Sequence, residues 1–147
     1  MRILILNGPN LNLLGRRRPD IYGTETLDGI MDELTAYLGA LGCEAECFQS
    51  NHEGAIIDRI QQALGGADGI IINPGAYTHY SYAIRDAIEA VGLPAVEVHL
   101  SDIHAREPFR AVSVLEPVCI AQVSALGKRS YFVGADILLK RLKGSGE

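Results

Sequence analysis

Short apolar runs alternate with longer amphipathic stretches along this chain, and that alternation sets the predicted elements. Ile3 to Asn7 reads as a first strand, apolar almost throughout, as a strand covered on both faces must be. Gly8 to Gly23 follows as a polar loop with two prolines and three glycines; a loop that long in a compact domain tends to carry function. Leu27, Ile30, Met31, Leu34, Leu38 and Leu41 then recur at helical spacing, with Gly42 as the stop. Ala45 to Gln49 is a second strand. Ser50-Asn51-His52-Glu53 has capping-box form and opens a helix that turns Ile56, Ile57, Ile60 and Leu64 inward before Gly65-Gly66. Gly69 to Asn73 is a third strand, apolar enough to be central. A helix from Ser81 to Val91 stops at Gly92 and Pro94, and Ala95 to Val98 is the fourth strand. A second long loop, His99 to Val114, leads to a fifth strand, Val118 to Val123. Arg129 to Leu142 is the last helix, and Gly144-Ser145-Gly146-Glu147 a fraying tail.

Five strands joined by crossover helices predict an α/β fold: a flavodoxin-like, doubly wound, five-stranded parallel sheet of order 2-1-3-4-5, in three αβα layers. Residues 1–147 read as a single domain, with no internal repeat. Folds of this kind bind ligands outside the carboxyl ends of their strands, near the switch point. Chemistry is therefore expected just after Asn7, just after Ile72 and just after Val98.

Composition narrows the function by exclusion. Apolar residues make up 48% and charged residues 21%, the balance of a soluble globular protein rather than a disordered one. The net charge of −5, with Arg16-Arg17-Arg18 as the only basic cluster, argues against a nucleic-acid surface. No apolar run is long enough for a membrane span. Met1 to Leu6 looks like the start of a signal peptide, but Asn7-Gly8-Pro9-Asn10 interrupts it. Cys43, Cys47 and Cys119 have no metal spacing and read as buried thiols in a reducing compartment, so the cytoplasm is expected. There is no G-x-G-x-x-G or Walker A loop, and Lys128, Lys140 and Lys143 all sit in or near the last helix, far from the strand ends.

Several polar residues fall where the fold calls for chemistry. Glu97 and His99 share a strand face by the period-2 pleat, either as an acid/base pair or as a buried structural ion pair. Asn73 and His79 flank the third strand end; Asn73 alone suits a turn and His79 alone a helix cap, but their joint placement favours ligand contact. On the first loop, Arg17 could favour the phenolate of Tyr22, although the residues by themselves fit an exposed tyrosine and a solvated arginine run better. In the second loop, backbone N–H groups and Ser101 suit a carboxylate, and Arg106 or Arg110 suits oxygens.

Four stretches, read together, resemble the type II 3-dehydroquinate dehydratases. They are Asn7 to Gly15 with Arg17, Pro19, Tyr22 and Gly23; Asn73 to His79; Glu97 to Ser101; and His104 to Glu107 with Phe109 and Arg110. The resemblance implies a cofactor-free, metal-free hydro-lyase acting on a small-molecule substrate. It assigns Tyr22, as phenolate beside Arg17, to remove a proton alpha to a ketone, and Asn10 to help hold a water against the enolate. It assigns His99, oriented by Glu97, to protonate the departing hydroxyl. It places Asn73, His79 and Arg110 on substrate hydroxyls, and Leu100 and Ser101 on the carboxylate. Asp86 would be offered across a subunit boundary in a homododecamer of four trimers. Two positions depart from the family pattern: Arg18 stands where a glutamate is usual, and Ser124-Ala125-Leu126-Gly127 replaces a more glycine-rich loop.

Two other functions fit the fold less well. A receiver-type regulator needs acidic residues where Asn7, Asn10 and Asn73 stand. A metal-dependent hydrolase would need His79, Glu97, His99 and His104 to converge.

Overall fold

A computed structural model of the chain describes residues 1–16, 20 and 24–144. Five parallel strands form one sheet: β1 (Arg2–Asn7), β2 (Glu44–Gln49), β3 (Gly69–Asn73), β4 (Ala95–Val98) and β5 (Ala121–Val123), in the order β2-β1-β3-β4-β5. Four helices cover it: α1 (Leu27–Ala40), α2 (Glu53–Gln62), α3 (Tyr82–Val91) and α4 (Arg129–Gly144). The flavodoxin-like order and layering predicted from the apolar pattern are those observed.

Strand pleating divides the core in two. Ile3, Ile5, Ile71, Val96 and Val98 face α1 and α4, where Leu34, Leu38, Ala135 and Leu138 meet them. Leu4, Leu6, Ile70 and Ile72 face α2 and α3, against Ile56, Ile60, Ile84 and Ile88. β3 is buried at every position, as a central strand should be. In the register, Asn7 lies directly beside Asn73, so polar side chains from neighbouring strands meet at the carboxyl edge, and Glu97 lies beside Ile72 one position before that edge. The β1 and β3 exits run so close that a Cβ on Gly8 would sit 2.4 Å from the Pro74 carbonyl oxygen.

Four expectations need correction. The fifth strand starts at Ala121 rather than Val118, because Glu116–Val118 form a 3-10 turn in which Pro117 offers no strand N–H. That leaves Cys119 half-buried in a turn. Ser50 and Glu53 do not close a capping box: His52 is the N-cap, Ser50 Oγ accepts its N–H, and Glu53 instead accepts a hydrogen bond from Ser81. α2 ends at Gln62, which leaves Leu64 59% exposed, and Leu41 likewise lies beyond α1 at 44%. Cys47 is exposed, since β2 is an edge strand with no fully buried residue. No helix of the described residues is long and apolar enough to cross a membrane.

Candidate active site

The carboxyl ends of β1, β3 and β4 open into one cleft, lined among others by Asn10, Asn73, His79, His99, Leu100, Ser101, Arg106 and Arg110. Leu11, Leu14 and Ile103 supply its apolar lining. Three predicted strand ends thus converge as the switch-point rule requires.

Glu97 and His99 form a buried, hydrogen-bonded pair at its base. His99 Nε2 lies 2.5 Å from Glu97 Oε2, and the two residues are 5% and 0% exposed. A buried carboxylate needs donors, and Glu97 has two besides the imidazole. Thr78 Oγ1 donates to Oε2 at 2.5 Å, and Ser113 Oγ to Oε1 at 2.8 Å. Burial pushes the Glu97 carboxyl up, but the hydrogen bond and charge of His99, with the two hydroxyls, outweigh it and hold it below the usual range. With Glu97 ionised, Nε2 must carry a hydrogen, so Nδ1 is the nitrogen left for the cleft. Nearby, burial and then the fields of Glu97 and Glu116 push the Cys119 thiol up to about 12.

A second buried network fixes the β1 and β3 ends. Tyr131 of α4, wholly buried, donates to Asn7 Oδ1 at 2.6 Å and accepts from Asn73 Nδ2 at 3.0 Å. Asn73 Oδ1 accepts the Gly75 N–H, which holds the amide one way round and leaves its second N–H for the cleft. Burial is the main cause that pushes the Tyr131 hydroxyl far up, so it stays neutral.

The remaining predicted residues are held more lightly. Asn10 is exposed, in the left-handed region at φ 69°, with its N–H bound to Asn51 Oδ1 at 3.0 Å. His79 Nδ1 donates to the Val112 carbonyl at 2.9 Å, which leaves Nε2 as an acceptor when the ring is neutral. The carbonyls of Leu100 and Ser101 accept N–H groups from Gly127 and Ala125. Ala125 does so at φ 67°, a conformation for which glycine is better suited, and it lies in the loop that departs from the family pattern. Arg110 stacks over the Phe109 ring at 4.8 Å, and its Nε sits 2.7 Å from Glu107. That pair is a charge contact rather than an aligned hydrogen bond, since Nε has no acceptor along its N–H. Asp86 is exposed on α3, outside the cleft of its own chain. His104 is exposed and does not join the other histidines, and among the described residues no three His, Cys, Asp or Glu side chains are placed to hold a metal ion. Arg17, Arg18 and Tyr22 lie outside the described residues.

Thr78, Ser113 and Tyr131 were not singled out by sequence reasoning. Thr78 falls inside the Asn73–His79 stretch, but nothing local marks it as a partner of Glu97. Ser113 and Tyr131 reach their partners across 16 residues and 58 to 124 residues respectively, and no periodicity signals such contacts.

A doubly wound sheet with an imidazole, a buried carboxylate and oriented amides at one strand edge defines an α/β protein built for acid/base work on a small polar molecule. Comparison with known proteins makes the class specific. A family model for class II dehydroquinases matches residues 1–139, and the chain belongs to that family. The 3-dehydroquinate dehydratase of Geotalea daltonii is 55% identical over 143 residues, 97% of this chain and 99% of its own. Its counterpart in Anoxybacillus flavithermus is 52% identical over 147 residues, 100% of this chain and 99% of its own. The crystal structure of a type II dehydroquinase from Butyrivibrio crossotus matches with a TM-score of 0.92 at 52% identity, covering 95% of this chain and 97% of that one. A 3-dehydroquinate dehydratase-like protein from Bifidobacterium longum matches at 0.73 and 26% identity, covering 97% and 98%.

Proposed function

We propose that this chain dehydrates 3-dehydroquinate to 3-dehydroshikimate by anti elimination through an enolate. The observation that carries the reading is the Glu97–His99 pair, buried at the strand edge with one imidazole nitrogen left for the cleft. Tyr22, as phenolate beside Arg17, takes the proton alpha to the ketone, and the C–H electrons pass into the enolate. Asn10 helps hold a water against the enolate oxygen. The enolate then reforms the ketone and expels the hydroxyl, which His99 protonates from Nδ1, so that water and a conjugated enone leave. The elimination is redox-neutral.

Binding roles follow from the same cleft. Asn73, His79 and Arg110 hold substrate hydroxyls, and the backbone at Leu100 and Ser101, with the Ser101 hydroxyl, holds the carboxylate. Asp86, exposed on α3, serves the cleft of a neighbouring subunit in an assembly of four trimers. Residues 1–147 act as one domain, in the cytoplasm, within aromatic biosynthesis or quinate breakdown.

The test is ultraviolet absorbance of purified protein mixed with 3-dehydroquinate in chelator-containing buffer. The enone product absorbs where the substrate does not, so the signal should rise, and Tyr22→Phe should abolish it. A flat trace from folded wild-type protein contradicts the assignment; an unchanged rise in Tyr22→Phe removes Tyr22 as the base.

A further inference from the structure

His99 gives up its Nδ1 proton readily only as an imidazolium, with Nε2 protonated too; that Nε2 proton lies along a 2.5 Å contact with Glu97, and which partner keeps it depends on what else Glu97 binds. Glu97 has no lysine or arginine among its described partners. Its other donors are two hydroxyls, each with a single hydrogen. Ser113 Oγ accepts the Glu116 N–H at 3.1 Å, which leaves its own hydrogen for Glu97. Thr78 Oγ1, wholly buried, directs its hydrogen to Oε2, and its carbonyl accepts the Val114 N–H at 2.7 Å, tying the two segments together.

We propose that Thr78 and Ser113 are positioning residues for the acid step: their hydroxyls keep Glu97 a hydrogen-bond acceptor and so keep the Nε2 proton on His99, which leaves the ring an imidazolium able to give up its Nδ1 proton. The inference rests on His99 being the acid of the proposed elimination. Its geometry is local to the pair. The titratable groups facing the pair are few. β4 offers no titratable group besides Glu97, His99 follows directly after it, and the turn before β5 brings Cys119 and Glu116. β5 offers neutral Gln122 in register with Glu97, and β3 and α3 offer the apolar Ile70, Ile72, Ile84 and Ile88. Glu53 of α2 is turned to Ser81. From the cleft come His79, Arg106 and Arg110.

Removing a hydroxyl destabilises the Glu97 anion whether His99 is charged or neutral. The singly protonated pair then has a second form, neutral imidazole beside neutral carboxyl. The pair therefore holds its extra proton to higher pH, while a smaller fraction of His99 is the imidazolium that can act as the acid. Thr78→Val keeps the shape of the side chain and deletes the donor; Thr78→Ser restores it; Ser113→Ala deletes the other.

The experiment records the pH dependence of turnover with 3-dehydroquinate, alongside NMR titration of the His99 ring. In Thr78→Val and Ser113→Ala the alkaline limb should move up by about one pH unit, with kcat lowered roughly tenfold and KM little changed. Thr78→Ser should return the limb to its wild-type position. An active wild type whose limb and His99 titration stay put in both variants overturns the role given to the hydroxyls. A wild type without turnover sinks the dehydratase reading instead, and the NMR titration, shifted or unshifted, then decides the hydroxyl inference alone. Should Thr78→Val fail to fold, Ser113→Ala carries the same two outcomes.

Discussion

Asn73 and Glu97, at the base of the cleft, are 3% and 0% exposed, whereas Asn10, Arg106 and Ser101 at its rim reach solvent. At the base each polar side chain is tied to another buried group: Asn73 to Tyr131, Glu97 to Thr78, Ser113 and His99. At the rim the ties run through backbone groups or between partly exposed side chains, as with Asn10 N–H on Asn51, His79 on the Val112 carbonyl or Arg110 beside Glu107. The difference follows from solvation. A polar group taken out of water must find its partners inside the fold, whereas a rim group can exchange water for substrate. The base is thus oriented before anything binds and suits the chemical step, while the rim suits recognition.

That contrast predicts a division of kinetic effects. The largest belongs to the base: Glu97→Gln puts an amide donor where three donors already point, so the imidazole must change tautomer or turn. Turnover should fall by about 10²-fold or more, with little change in KM, in steady-state assays. A variant with raised KM and intact kcat would break the contrast at its strongest point. Arg110→Ala, at the rim, should do the reverse. Losing a charge-assisted hydrogen bond of ~1.5–3 kcal/mol should raise KM by about tenfold to a hundredfold, with a smaller loss of kcat. Equal loss in kcat and kcat/KM would move Arg110 into the transition state instead.

Much of this organisation was legible before the structure, for identifiable reasons. Strand period put Glu97 and His99 on one face, and the apolar runs fixed which strand was central. The switch-point rule then named the loops that form the cleft. Thr78 and Ser113 escaped because they meet each other and Glu97 through irregular segments, 35 residues apart in sequence. The capping box at Ser50 failed for a related reason: Glu53 found a tertiary partner, Ser81, that outcompeted the local one. β5 began late because Pro117 shaped a turn inside an otherwise strand-like run. At Thr78, Ser113 and Ser50 local pattern yielded to a contact that sequence spacing does not encode; at β5 a local signal, Pro117, outweighed the apolar run around it.

The division of labour between His99 and a separate base is the centre of the account, and isotope exchange tests it most directly. His99→Ala protein incubated with 3-dehydroquinate in deuterated water, followed by NMR of the substrate, separates proton removal from hydroxyl loss. The account predicts that the alpha position still exchanges with solvent while enone product stops accumulating. Enone forming at the wild-type rate, or a folded variant with no exchange at all, would contradict it.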